Sequence, residues 1–245
     1  MCHPRRVYRE LAVAPELAGV VDAVWVRDPP SGHPAAVHRI LPDGCTDLIW
    51  AAGGLLVAGP DTRAHLTTIA PGTPYAAVRF APGAGPAVLG VPGQELRDQR
   101  VPLDALWPAG QVRRLAGQLS GAADRAAAIQ AVVRDRLAVT GPPDPVVAAV
   151  ASQQWAGDLV AATAAALGLS ERQLHRRCLA AFGYGPKLLA RILRFRRAAG
   201  LARAGVRFAE VAVAAGYADQ AHLAREVRAL SGVPLRVLTG ADAAG

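Results

Sequence analysis

The stretch formed by residues 206–234 constrains the fold most strongly, because its pattern is that of two short helices joined by a glycine turn. Apolar residues recur at helical spacing in its first half, and Gly216 stands where a helix ends in the left-handed conformation that glycine adopts most readily. Asp219 then serves as the N-cap of a second helix. One face of that helix is apolar, and the opposite face has Arg225 and Arg228. We therefore predict a helix-turn-helix unit, with an ordinary surface helix pair as the alternative.

This unit has a copy earlier in the chain. Residues 164–168 match residues 212–216 at an offset of 48, and three further positions match at an offset of 49, namely Leu174, Arg176 and Gly183 against Leu223, Arg225 and Gly232. Ser170 takes the N-cap position that Asp219 takes in the second unit. The residues between the units, 187–203, are long enough for a helix of about 25 Å. A helix of that length is expected to hold two DNA readers about one duplex turn, roughly 34 Å, apart.

Positive charge is concentrated in the region that contains the two units. Residues 148–245 have 13 Arg and Lys against 6 Asp and Glu, whereas residues 1–147 have 14 against 13. Basic residues on one surface release counterions from nucleic acid phosphates, so this asymmetry predicts double-stranded DNA as the partner. A basic face that is merely solvated is the alternative.

The chain of 245 residues is long enough for two domains with buried cores. No apolar run approaches the roughly 18 residues of a membrane span, and the first residues lack the apolar core of a signal peptide. Cys2, Cys45 and Cys178 are scattered, which suits a reducing compartment better than a disulfide framework. We therefore expect a cytoplasmic protein with no membrane partner.

Up to residue 80 the pattern is that of short β-strands. Six segments rich in β-branched and aromatic residues alternate with turn signals, and they are residues 20–26, 37–41, 46–51, 55–58, 65–69 and 75–80. Strands of this length and spacing predict a small antiparallel barrel or sandwich, cupin-like in form. The interior of such a domain commonly holds one small ligand, so we expect a sensor or effector-binding domain.

Helical segments follow, at residues 85–90, 104–107, 111–119 and 123–139. The last is amphipathic, with Ile129, Val132 and Val133 apart from Arg136, which makes it a candidate for dimerisation or docking. Three prolines among residues 142–145 end it. We therefore predict an α+β protein with a sensor domain at residues 1–140, a proline-rich linker at 141–147 and an all-α DNA-binding domain at 148–240.

The duplicated region, above all the sequence GYADQAHLAREV followed by SGVP, resembles the C-terminal domain of AraC/XylS-type transcriptional regulators. The resemblance covers about residues 145–239 and implies seven helices with two helix-turn-helix motifs. It departs at Cys178 and Val227, where that family usually has phenylalanine, and Phe182 and Phe195 are expected to fill the room. The sequences LPDGCTDLIW and YAAVRFAPGAGPAVLGVP resemble, more weakly, a sensor-type domain that precedes this DNA-binding unit in some members.

The resemblance implies DNA-facing positions in both recognition helices, namely Arg172, His175 and Arg176 in the first and Gln220, Ala221, His222 and Arg225 in the second. Their chemistry agrees, because arginine bonds guanine O6 and N7 together, glutamine bonds adenine N6 and N7, and alanine touches the thymine methyl. Phosphate contacts are predicted for four arginines of the linking helix, Arg191, Arg194, Arg196 and Arg197. The alternative for each of these four is an ion pair with an acidic residue or cover for apolar surface.

An effector pocket is predicted in the β domain, lined by Trp25, Arg39, Cys45, Trp50 and Arg79. Aromatic rings supply apolar contact and arginine holds an anionic group, although core packing explains the tryptophans about as well. Cys45 follows a turn, and Arg39, His38 or Arg79 would have to lie beside it to lower its pKa. A thiol-reactive sensor or repair-like regulator is thus the main alternative function, and a small buried apolar side chain is the competing interpretation of Cys45.

The sequence predicts no catalytic residue, cofactor or metal site. The residues His33, His38, Cys45 and His65 show no short ligand spacing on one element, and the pair Cys2 and His3 is a weaker candidate still. An enzyme domain fused to a DNA-binding module is the weakest alternative. The sequence does not decide whether the protein also binds a second copy of the chain or RNA polymerase. It does not decide whether the protein activates or represses transcription. We expect a regulator that binds without catalysis, in which an effector favours one arrangement of sensor and reader.

Overall fold

Two hydrophobic clusters organise the computed structural model, which describes residues 8–28, 36–69 and 72–240. The first cluster is built from residues between 17 and 133, and the second from residues between 150 and 235. Cys2, His3 and His33 lie outside the described residues, so the interpretations of these positions stay predictions.

The N-terminal part is formed mainly by eight β-strands among the described residues: β1 Tyr8–Leu11, β2 Val21–Arg27, β3 Ala36–Ile40, β4 Asp47–Ala51, β5 Gly54–Ala58, β6 His65–Ile69, β7 Tyr75–Phe80 and β8 Arg100–Pro102. The six predicted strands are β2 to β7, and each of their ends lies within one residue of the prediction. Strands β1 and β8, at the two edges of the sheet, are not predicted from the sequence.

These strands form one antiparallel sheet in the order β1-β2-β7-β4-β5-β8, and a separate antiparallel pair, β3 with β6. We refer to this pair as the β3–β6 ribbon. One face of the six-stranded sheet is apolar and buried, with Val24, Val78 and Leu48 aligned across three strands. The predicted β-rich domain within an α+β chain is confirmed, in the form of a six-stranded sheet with two edges and a detached ribbon.

Helices cover the buried face of the sheet: α1 Gly85–Leu89, α2 Gly93–Leu96, α3 Ala109–Gly121 and α4 Arg125–Thr140. A short 3-10 turn at Leu103–Ala105 stands where a helix over residues 104–107 is predicted. In α4, Ile129 and Val133 are buried in the sensor core. Arg136 of the same helix donates to the Val88 carbonyl and lies over the Trp107 ring. The apolar face of α4 therefore packs inside its own domain, and the docking role considered for it is corrected.

Seven helices follow in the part of the chain that the structure describes, as the resemblance implies: α5 Pro145–Ala156, α6 Val160–Ala166, α7 Glu171–Phe182, α8 Pro186–Arg203, α9 Phe208–Ala215, α10 Gln220–Ser231 and α11 Leu235–Leu238. Only residues 141–144 separate α4 from α5, because Pro145 occupies the first turn of a helix, where its missing N–H costs nothing. Asp144 caps that helix by accepting from Val146 N at 2.9 Å.

The core of this helical region contains the residues at which the sequence departs from the family pattern. Cys178 and Val227 are both completely buried in the second cluster. Phe182 and Phe195 are buried in the same cluster and supply the large side chains that these two positions lack. All four side chains thus belong to one core, and the filling of the space at Cys178 and Val227 by these phenylalanines stays a prediction.

Candidate nucleic-acid interface

The two recognition helices, α7 and α10, are built alike. Each has 12 residues. Ser170 begins α7 with a reciprocal capping box with Gln173, and Asp219 begins α10 by accepting from His222 N at 2.6 Å. Gly183 and Gly232 end them with φ of 77° and 76°, in the left-handed region that glycine tolerates. The capping residues that match between the two units of the sequence thus begin and end corresponding helices in the structure.

Most of the predicted base-reading side chains are exposed on these helices, as Arg172, His175 and Arg176 on α7 and Gln220, Ala221 and Arg225 on α10. Buried leucines face the other way, Leu174 in α7 and Leu223 in α10. Among the described residues, no carboxylate pairs with the exposed arginines of this set. Their guanidinium groups are therefore free to bind an outside partner.

The two predicted histidines differ from this pattern. A methyl group added to Gly185 would lie 2.6 Å from Cε1 of His175, so one edge of this exposed ring rests on the start of α8. His222 is half-buried and meets the Tyr217 ring edge-on, with centroids 5.3 Å apart. Its Nδ1 lies 3.4 Å from the Ala218 amide. His222 thus contacts the turn before α10, and its place on the DNA-facing surface stays a prediction.

The arginines of α8 divide into two groups. Arg191 binds both oxygens of Glu226, and Arg196 binds Asp22 at 3.4 Å while lying over the Trp155 ring. For these two, the ion-pair alternative is the one observed. Two others, Arg194 and Arg197, form no ion pair among the described residues, and Arg194 lies 5.6 Å from the Tyr217 ring centroid.

A basic cleft lies between the two helix-turn-helix units. Its volume is about 510 Å³, and residues at the start of α6 and at the end of α9 contribute to its lining. Four basic side chains spaced by three or four residues line it from α8, namely Lys187, Arg191, Arg194 and Arg197. Lys187 is absent from the predicted set, although its spacing from Arg191 places it on the same helical face. Two capped readers joined by a helix with a basic face define a DNA-binding protein of the double helix-turn-helix class.

Comparison with known families agrees with this class. Residues 163–239 match a family model described as a helix-turn-helix domain, and residues 9–102 match one described as a domain of unknown function (DUF6597). The chain therefore has a helix-turn-helix domain of AraC type over residues 163–239 and a DUF6597 domain over residues 9–102 in its β-rich part. Among curated proteins, none matches the chain in sequence.

Solved structures with related folds include a probable AraC family transcriptional regulator from Rhodopseudomonas palustris. It is 21% identical, the match covers 40% of this chain and 97% of that one, and the TM-score is 0.35. ToxT from Vibrio cholerae with a bound unsaturated fatty acid is 12% identical, with 98% and 99% covered and a TM-score of 0.46. Another ToxT structure is 11% identical, with 84% and 97% covered and a TM-score of 0.47.

The five residues predicted to line an effector pocket do not come together. Trp50 is 3% exposed and belongs to the buried face of the sheet. Trp25 is half-buried on the opposite face of the sheet. It aligns with Ala77 of β7, whereas Trp50 aligns with Ala76, and neighbouring residues of a strand point to opposite faces. Core packing therefore explains Trp50, and the predicted pocket is corrected to exclude it.

Arg79 and Arg39 already have partners in the protein. Arg79 Nε lies 3.1 Å from Asp47 Oδ1 and 3.5 Å from Asp43 Oδ2. Burial alone would lower the pKa of Arg79, but these two carboxylates outweigh it and raise the pKa. Arg39 Nη1 donates to the Ser231 carbonyl at 2.7 Å. The charge of Arg79 is therefore neutralised by carboxylates, which argues against its predicted effector role. Arg39 is exposed and bonded only to a neutral carbonyl, so its effector role stays a prediction.

Cys45 is a buried thiol. Only 5% of the residue is exposed, and desolvation, with the charge of Asp43, raises the pKa of the thiol well above its usual value. Of the three cations considered for its activation, His38 is bonded to Arg27 and Arg39 to the Ser231 carbonyl. Arg79 lowers the pKa of Cys45, but burial and the charge of Asp43 outweigh it. The interpretation as a small buried side chain is favoured over the thiol-reactive alternative.

No three His, Cys, Asp or Glu side chains in the described part of the chain are grouped as a metal site. No described helix is long and apolar enough to cross a membrane.

Proposed function

We propose that this protein regulates transcription by reading a bipartite DNA site with α7 and α10. Arg172 and Arg176, with His175 beside them, contact bases in one half-site, and Gln220, Ala221 and Arg225 contact bases in the other. The observation that supports this proposal is the pair of helices, each with a side-chain N-cap and a C-terminal glycine, whose outward arginines have no partner among the described residues. Such unpaired, pre-positioned guanidinium groups match the bidentate pattern of guanine in the major groove.

Lys187, Arg194 and Arg197 are proposed to bind the phosphates that run between the two half-sites. They line one cleft on α8, and none of them forms an ion pair with the described residues. The 18 residues of α8 rise about 27 Å, which suits readers that enter major grooves about one turn apart. Phosphate contacts here fix the register of the protein on DNA without reading sequence.

Selection of binding sites from a random duplex library with the full chain tests the proposal. We expect two conserved half-sites about 10 base pairs apart, centre to centre. The double variant Arg172→Ala/Arg176→Ala should lose preference at one half-site, and Arg225→Ala should lose about 1 to 3 kcal/mol at the other. Arg113→Ala, at an exposed arginine of α3, is the matched control and should change neither. Equal losses on selected and random DNA would show that these arginines contact phosphates instead of bases.

We further propose that the sensor domain binds a small effector between its six-stranded sheet and the β3–β6 ribbon. Trp25, Ala77, Ile49 and Leu56 form one row across four strands, on the face opposite the buried core. Three of the four are half-buried. The ribbon is tied to this side, because Arg27 donates to Nε2 of His38 at 3.2 Å. An apolar row flanked by a few polar groups is typical of small-molecule sites, so the effector is expected to be largely apolar.

The dye 8-anilinonaphthalene-1-sulfonate, which fluoresces in apolar sites, serves as the probe for this second proposal. Fluorescence with the native chain should fall strongly in Ile49→Glu and persist in Val139→Glu, a change at an exposed apolar residue of α4. Circular dichroism confirms that both variants are folded. Unchanged dye binding in a folded Ile49→Glu variant would place the apolar site elsewhere.

A further inference from the structure

The C-terminal end of α10 is completed by the sensor domain. Carbonyls in the last turn of a helix have no donor within the helix. The Leu230 carbonyl accepts the backbone N–H of Ala64 at 2.7 Å, and the Ser231 carbonyl accepts Nη1 of Arg39 at 2.7 Å. In the β3–β6 ribbon, Arg39 of β3 lies opposite Leu66 of β6, and Ala64 immediately precedes β6. One end of the ribbon therefore supplies two hydrogen bonds to one end of a recognition helix.

The charge of Arg39 suits this position. The C-terminal end of a helix has a partial negative charge, and a hydrogen bond from guanidinium to a carbonyl is charge-assisted. No local group replaces this donor, because the Ser231 hydroxyl donates to the Val227 carbonyl at 2.7 Å. Ser231 itself is completely buried. Loss of the Arg39 guanidinium would leave its carbonyl without a partner in a place that water reaches poorly.

The end of α7 is held differently, by α2. A methyl group at Gly93 would lie 2.7 Å from Gly183 N and 3.0 Å from Ala180 O. The backbone of α2 thus packs directly on the backbone at the end of α7, a contact that only glycine permits at this distance. Each recognition helix is therefore supported by its own element of the sensor domain.

We infer that Arg39 is a positioning residue for DNA reading, through which the β3–β6 ribbon sets the placement of α10. This inference rests on the proposed function, since it assumes that α7 and α10 read separate half-sites. Arg39 touches neither base nor phosphate in this arrangement. Its loss should therefore change binding at one half-site and leave the half-site of α7 unchanged.

Hydroxyl-radical footprinting of the full chain on its selected bipartite site tests the inference. Arg39→Gln should weaken protection of the α10 half-site about tenfold, within the range usual for coupling between sites. Arg39→Lys, which keeps the charge and a donor, should fall between Arg39→Gln and the native chain. Arg63→Gln is the matched control, because Arg63 is exposed beside Ala64 and pairs with no acidic residue that the structure describes. Gly93→Ala should show the opposite selectivity, with weaker protection of the α7 half-site.

Hydrogen exchange of the DNA-free protein gives an independent readout. Amides near the end of α10, at residues 230–233, should exchange faster in Arg39→Gln, while amides at the end of α7 should not change. This measurement separates the inference from the proposed function: a native chain that protects no bipartite site would refute the proposed function, and the exchange result would still decide whether Arg39 holds α10.

Three results would overturn the inference. One is protection of both half-sites by Arg39→Gln at the native level, and another is an equal loss at both. The third is stronger protection of the α10 half-site, which would mean that the ribbon restrains α10 instead of supporting it. If Arg39→Gln does not fold, footprinting and hydrogen exchange are both made on Arg39→Lys, in which a smaller change in the same direction is expected at the end of α10 alone.

Discussion

The guanidinium of Arg191 on α8 binds both carboxylate oxygens of Glu226 on α10, with Nε to Oε2 at 2.9 Å and Nη2 to Oε1 at 3.1 Å. This bidentate pair fixes the second recognition helix against the linking helix. The hydrogen bond from Arg191 lowers the pKa of Glu226, and burial opposes it only in part. The α8 helix therefore supports α10, in addition to its proposed role in binding phosphate.

Glu226→Gln should destabilise the protein slightly and only at pH values where the carboxylate is charged. The pair is partly exposed, so we expect a loss of about 0.2 to 1 kcal/mol in the free energy of unfolding at pH 7. The pKa of Glu226 is lower in the folded protein than in the unfolded chain, where it is about 4.3. The stabilisation is therefore complete at pH values above the pKa of the unfolded chain, and it disappears as the pH falls through the pKa of the folded protein. Urea unfolding of both proteins between pH 7 and about pH 3 measures it.

Glu210→Gln is the control for that experiment, because its side chain is largely exposed and lies 3.9 Å from Arg207. It should show little difference from the native protein at any pH. A destabilisation of Glu226→Gln that grows toward acid pH would contradict the assigned role of the pair.

Arg197→Gln should weaken DNA binding on every sequence to a similar extent. A phosphate contact carries no base information, and its removal lowers the slope of log K against log salt by about 1. Fluorescence anisotropy at several salt concentrations, on selected and random duplexes, measures this slope. The control is Arg203→Gln, at an exposed arginine near the end of the same helix and outside the cleft. A loss confined to the selected duplex would assign Arg197 to base reading.

Gly83→Ala should destabilise the contact between the sensor domain and the reader. Gly83 has φ of +80°, and an added methyl group would lie 2.4 Å from Val147 Cγ1 and 2.6 Å from Phe182 Cε1. Strain at this φ and overpacking together should lower the free energy of unfolding by roughly 1 to 3 kcal/mol. Gly117→Ala in α3 has open space around it and should instead stabilise by about 0.5 to 1 kcal/mol. Thermal unfolding compares them, and equal effects would argue against close packing at Gly83.

Cys45 should resist alkylation in the native protein. Its thiol is buried and its pKa is raised, so the reactive thiolate is scarce at pH 8 and is out of reach of reagent. Iodoacetamide treatment followed by peptide mass spectrometry should find Cys45 unmodified in the native protein and modified in urea. Rapid labelling of native Cys45 would restore the thiol-reactive alternative.

Local signals in the sequence are sufficient to predict where the two recognition helices begin and end. Capping residues and terminal glycines lie within one helix length of each other, so residues such as Ser170 and Gly232 fix the helix ends without distant contacts. Short edge elements are harder to predict. Strand β8 has three residues and ends in proline, and helix α2 has four and begins with glycine.

Distant contacts explain the predictions that need correction. Arg39 and Ser231 are 192 positions apart, and nothing near either residue indicates that they meet. Trp25 and Trp50 both look like pocket residues, but the face that each one takes is decided by the pairing of their strands with β7. The spacing of Lys187 from Arg191 was sufficient to place it on the basic face of α8, whereas the engagement of Arg196 by Asp22 depends on the docking of two domains.

The C-terminal ends of both recognition helices contact groups of the N-terminal domain. The DNA-binding domain is therefore poorly suited to transfer onto another protein. A chimera that joined residues 145–240 to an unrelated sensor would lack the glycine backbone under α7 and both donors at the end of α10. A new N-terminal domain would need residues equivalent to Gly93, Arg39 and Ala64 in order to support the two recognition helices and so to affect DNA binding. The two halves of this regulator are therefore expected to have been inherited, and to change, as one matched pair.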